Sequence, residues 1–116
     1  MPRHQNTKEK ILESALKLFS EKGIRETTIK DIAKEVGITE GAIYRHFVSK
    51  DQIVRTLFST YAERLYEELI SAVEEDTSIK NRFFKLVKTF LNFCFDNPQA
   101  FKFINLFHYL RAEEVK

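Results

Sequence analysis

The chain has 116 residues, 43% of them apolar and 31% charged, with a formal net charge of +2 at pH 7. That length suits one small domain, or one domain with part of another, and the composition excludes an intrinsically disordered chain. A single cysteine, Cys94, excludes an internal disulfide, and no apolar run approaches the roughly 20 residues of a membrane span. Only three glycines and two prolines are present, and no useful alternating apolar/polar run appears. These features predict an all-α protein. The polar start, MPRHQNTKEK, holds no signal-peptide core, so the expected location is cytoplasmic, with no membrane association.

Residues 1–5 read as a basic arm with Arg3 and His4. Asn6 is placed to cap a first helix, with Glu9 as its box partner. Ile11, Leu12, Ala15, Leu16 and Phe19 follow on one face, and Lys22–Gly23 ends the helix with a left-handed cap. Thr28 and Asp31 form the next capping box, and Ile29, Ile32, Ala33 and Val36 give a short stripe that Gly37 stops. Thr39 caps a third helix containing Ala42, Ile43 and Phe47. Ser49 with Gln52 opens a long fourth helix, whose core side runs from Ile53, Val54, Leu57, Phe58 and Tyr61 to Leu65, Leu69 and Val73. The run Glu74, Glu75, Asp76, Thr77 reads as a break. A fifth helix spans about Ile79 to Phe95, with a narrow polar stripe of Lys85, Lys88, Thr89, Asn92 and Asp96. Asn97-Pro98 stops it and starts a sixth helix reaching about Arg111.

Thr27–Lys50 carries the most information. Two short helical patterns meet at Gly37, with Ala33 four residues before it and Ile43 six after. A small residue lets the helices cross closely, the glycine permits a positive φ, and Ile43 fills the wedge between them. This is helix-turn-helix spacing, which offers its second helix to a DNA major groove; by spacing alone, an ordinary helical hairpin is the alternative. Residues 1–50 hold ten Lys/Arg against seven Asp/Glu, while residues 51–116 hold nine against ten. The basic excess thus lies with the motif, as phosphate contact requires.

With Ala42, Ile43 and Phe47 inward, Thr39, Glu40, Gly41, Tyr44 and Arg45 face outward. A glycine on an outward helix face suits close approach of a backbone or base pair. Tyr44 and His46 are candidates for phosphate oxygens; the alternatives are a half-buried core tyrosine and a helix C-cap. Lys50 reads as a phosphate clamp in the first turn of the fourth helix, or as a solvated surface lysine.

Residues 7–55 resemble the DNA-binding domain of the TetR family of transcriptional regulators. ILESALKLFSEKGIRETTIKDIAKEVGITEGAIYRHFVSKDQI carries the resemblance, and Gly41–Lys50, GAIYRHFVSK, is its most specific part. The resemblance implies that helices two and three lie in the major groove, with Thr28, Thr39, Glu40, Gly41, Tyr44, His46 and Lys50 at DNA-contacting positions. Tyr44 and Lys50 then contact phosphates, and Thr39 and Gly41 lie near base edges. It implies a ligand-responsive repressor that binds a palindromic double-stranded operator as a homodimer.

The expected architecture is a three-helix helix-turn-helix head over residues 1–50. A long fourth helix joins it to a partial helical bundle over 51–116, which holds the start of a ligand-binding and dimerisation domain. The resemblance fades after about Tyr61. Family members are longer, and the Phe-rich surface of helices five and six looks unfinished, so a fragment of a longer protein is expected rather than a chain dimerising by another route. Eight of the eleven phenylalanines fall between Phe83 and Phe107. Such a face is more often core than ligand box. The ligand reading has Phe83, Phe90, Phe101, Phe107 and Tyr109 lining a pocket for a small apolar or amphipathic inducer, with His108 either orienting its polar end or simply structural. Cys94 reads as a buried thiol. No phosphate loop, metal-ligand spacing or nucleophile elbow appears, so neither an enzyme, a metal nor a cofactor is expected. The competing reading is a helical module that binds a protein partner through its Phe-rich helices.

Overall fold

The computed structural model describes residues 6–74 and 78–103, and these residues form helices and turns with no strand among them. Helix α1 is Thr7–Lys22, α2 Ile29–Val36, α3 Glu40–Tyr44, α4 Lys50–Glu74 and α5 Ile79–Asp96; residues 98–103 are helical again. The basic arm, Glu75, Asp76 and Thr77 of the break, and Phe107, His108 and Tyr109 lie outside the described residues.

Local chemistry sets the helix starts. Asn6 Oδ1 accepts the Glu9 amide at 2.8 Å, Thr28 forms a reciprocal box with Asp31, and Thr39 Oγ1 accepts the Ala42 amide at 3.1 Å. Before α4, Ser49 Oγ accepts the Gln52 amide at 3.2 Å, and Gln52 Oε1 reaches one residue further back, to the Val48 amide at 2.5 Å. Ser78 caps α5.

Among the described residues, the two with positive φ are glycines, but they differ. Gly37 is left-handed, with φ 87° and ψ 33°, as the turn predicts. Gly23, expected to be a left-handed cap, instead has φ 101° and ψ 157°, outside the left-handed helical region and in one essentially confined to glycine.

The head is built around α1. Ile11, Ala15, Leu16 and Phe19 meet Ile32 and Ala33 of α2, Ile43 of α3, Phe47, and Ile53, Val54 and Leu57 of α4 in one buried cluster. Helix α3 is shorter than the pattern predicts. Phe47 lies past its end, yet it is 2% exposed, because the 45–46 turn keeps it on the inward side. Lys8 Nζ sits 5.6 Å from the Phe47 ring centroid and closes this edge.

Phe103 completes the same cluster. It is fully buried, and its ring stacks on Phe19 with centroids 6.0 Å apart. A residue beyond α5 is therefore part of the core of the head. Leu65, Leu69 and Val73, in the second half of α4, are only partly buried; this half leaves the head and packs beside α5.

Helix α5 turns part of its polar stripe toward α4. Thr89, Asn92 and Asp96 of its polar stripe line an open hollow against α4, while Phe83, Phe84, Val87, Leu91 and Phe95 are exposed on the outer side. Among the described residues, no helix is long and apolar enough to cross a membrane.

Replacing Phe103 by alanine is expected to lower the stability of the head by about 3–5 kcal/mol, as for other buried phenylalanines. Chemical denaturation followed through backbone amides of α1 and α2 checks this. Unchanged stability there excludes Phe103 from the core of the head.

Candidate nucleic-acid interface

The turn between α2 and α3 is closed by the Ala33 carbonyl, which accepts the Gly37 amide at 2.8 Å and the Ile38 amide at 3.0 Å. This doubly occupied acceptor aims α3 across α2. Ile43 is fully buried at the crossing, which fixes the rotation of α3 about its own axis. The opposite side is thereby presented to solvent: Thr39, Glu40, Gly41, Tyr44 and His46 are all exposed, with Tyr44 at 52%. The tyrosine ring is thus not a core ring. The same surface includes Arg45, which the sequence pattern faces outward without a role. Its charge between two phosphate-binding candidates is the signal that adds it.

Thr39 serves two ends. Its oxygen accepts the Ala42 amide, while the hydroxyl keeps a proton to donate elsewhere. Thr28, also exposed, stands in the same relation to α2, so both helix starts present a capping threonine.

Asp31 is the electrostatic centre of the α2 start. Its Oδ2 accepts Lys22 Nζ at 2.8 Å and the Thr28 amide at 3.0 Å. The Lys22 ammonium, then the Thr28 amide and hydroxyl, pull the carboxyl down from 3.8 to about 2. A second pair, Lys17–Glu35 at 2.6 Å, also joins α1 to α2, and the Glu35 carboxylate raises the Lys17 ammonium above its ordinary value. Both pairs are solvated, so they orient the helices more than they bind them.

Lys50 differs from the other predicted contacts. Its ammonium points into the head, donating to the Ile24 carbonyl at 2.7 Å and the Thr27 carbonyl at 3.1 Å. The predicted ligand residues also part company. Phe83, Phe90 and Phe101 are exposed and do not line the hollow of about 570 Å³ between α4 and α5. That hollow is edged instead by Arg64, Glu67, Glu68, Thr89, Asn92 and Asp96, with buried Phe93 behind them. Cys94 is half-buried. Among the described residues, no group of His, Cys, Asp and Glu is arranged to hold a metal ion.

Residues 11–57 match the family described as bacterial regulatory proteins, tetR family. A nucleoid occlusion factor, SlmA of Haemophilus influenzae, is 33% identical over 81 residues, which is 70% of this chain and 37% of that protein. Two solved structures share the arrangement over most of the chain. A tetR-family regulator from Shewanella sp. PV-4 does so with a TM-score of 0.80 at 29% identity, over 88% of this chain and 54% of the other. The ketosteroid transcriptional regulator KstR2 of Mycobacterium tuberculosis gives 0.82 at 25% identity, over 89% and 53%. The fold and the helix-turn-helix surface are therefore those of a DNA-binding head. Over residues 11–57 the chain carries the DNA-binding head of the TetR family, to which it belongs. It spans about half the length or less of the relatives it matches.

A group whose folded pKa is depressed stabilises above its unfolded value, and that stability fades as pH falls toward the folded value. Asp31 is therefore expected to support the head at neutral pH and to lose its effect between about pH 4 and pH 2. Melting temperatures of the wild-type protein and Asp31→Asn, measured across that range, should differ at pH 6 and converge near pH 2. A difference independent of pH would show that the carboxylate charge has no part in the cap.

Proposed function

We propose that this protein is a ligand-responsive repressor that binds a palindromic operator as a homodimer, reading DNA through the outward face of α3 and the start of α2. Gly41 carries the reading. It lies within α3 at an exposed position, has no positive φ, and a Cβ there meets only Thr39 Oγ1, at 3.9 Å. The fold thus has no need of a glycine at a position where glycine costs up to about 1 kcal/mol relative to alanine. A surface pressed close to Gly41 from outside explains it. Thr39 and Gly41 then lie at base edges with Glu40 beside them, while Thr28, Tyr44 and His46 engage phosphates. Lys50 shares this region, with its ammonium turned inward in the free protein.

Heads of a dimer that read neighbouring grooves stand about 34–36 Å apart, one helical turn. Movement of α4 changes that separation, which links a ligand in the body to operator affinity. An amphipathic inducer suits the hollow between α4 and α5, where Arg64, Glu67, Glu68 and Asp96 meet a polar end in front of the buried Phe93. The outward aromatic face of α5 favours a second reading, a module for a helical protein partner.

Gel shifts with duplex DNA from upstream of the protein's own gene separate the two. A saturable complex is expected, and a chain that ignores DNA yet recruits a helical partner supports the second reading. Gly41→Ala should raise stability by up to about 1 kcal/mol. Gly41→Leu should remain folded and lose at least tenfold in DNA affinity. Wild-type affinity in the leucine variant would remove α3 from the interface.

A further inference from the structure

Both acids of α2 stand in ion pairs, Asp31 with Lys22 at 2.8 Å and Glu35 with Lys17 at 2.6 Å. Glu40, the acid of α3, does not. It is exposed, and among the described residues its carboxylate takes no ion pair and no hydrogen bond. The capping of α3 does not employ it either. Thr39 Oγ1 accepts the Ala42 amide at 3.1 Å, so the box position three residues on falls to Ala42. An acid in the first turn of a solvated helix contributes little through the dipole alone. The residues beside it, Tyr44, Arg45 and His46, are exposed and suited to phosphate oxygens.

A carboxylate on such a surface repels every phosphate and is satisfied only where DNA offers a donor. In the major groove the donors are N4 of cytosine and N6 of adenine; guanine and thymine present acceptors there, with the thymine methyl group. Adenine sets its N7 acceptor next to N6, a pair that an amide matches and a carboxylate does not. Cytosine presents N4 with no acceptor beside it on its own edge. The neighbours of Glu40 fit the same base pair. Thr39 accepts the Ala42 amide and keeps its hydroxyl proton, which O6 or N7 of the paired guanine can accept. At Gly41 a Cβ would meet only Thr39 Oγ1, at 3.9 Å, so the bare backbone leaves room for a base edge to come within reach of the Glu40 side chain.

We propose that Glu40 is a specificity-determining residue: its carboxylate accepts the N4 amino group of one cytosine in each operator half-site and rejects guanine and thymine at that position. This assignment rests on the DNA-binding reading of α3.

Duplexes selected from a random library by the wild-type protein should share one fixed C·G pair in each half-site. Changing that pair should cost the wild type about fivefold or more in affinity. Glu40→Ala should lose the preference at that position and keep those elsewhere. Glu40→Gln should move it to adenine, whose N6 and N7 an amide matches. Replacing the cytosine by 2-pyrimidinone, which lacks the amino group, should weaken the wild type more than Glu40→Ala. Circular dichroism checks that each variant is folded at the temperature used. The same motif selected by the wild type and Glu40→Ala overturns the cytosine contact and leaves DNA binding intact. An alanine variant that binds every sequence more tightly by one common factor marks a carboxylate that only repels phosphate, and overturns it as well. A wild type that selects no sequence removes the DNA-binding reading, and this assignment with it.

Discussion

A helix of five residues has no stability of its own in water, because it scarcely repays the cost of its first turn. Helix α3 exists because Ile43 and Phe47 are driven into a core prepared by α1, α2 and α4. The whole outward face of α3 depends on that burial. The outward residues cannot slip around the helix axis, since rotation that exposes Ile43 also uncovers the centre of the head. Burial thus does for this short segment what length and propensity do for longer helices, and it leaves the outer face available for recognition instead of packing.

The parts legible in the sequence were those decided within four residues. Asn6, Thr28, Thr39 and Ser49 each meet an amide three positions on, and Gly37 closes its turn onto Ala33. The outward set Thr39, Glu40, Gly41, Tyr44 and Arg45 followed from the same local period, because Ile43 named the inner side. Long-range choices were not legible. Nothing near Lys50 in sequence points to the carbonyls of Ile24 and Thr27. Periodicity gives α5 an apolar face but not the direction in which that face turns, and in the structure its polar residues line the hollow against α4. Phe103 reads as one of many phenylalanines; only the fold shows that its partner is Phe19.

The head is thus not a unit sealed from the body. Its core draws on α4 through Ile53, Val54 and Leu57, and on the segment after α5 through Phe103. Those two connections enter from opposite ends of the chain's second half. One small core is thus anchored at two separate places in the second half of the chain.

The Phe19–Phe103 stack has a practical consequence. Because a ring from beyond α5 stands inside the head, the melting of the head reports on the state of the body. Compounds that settle among the later helices are expected to shift that melting curve even with no nucleic acid in the tube. Any compound that binds the later helices can then be detected by thermal screening of the protein alone.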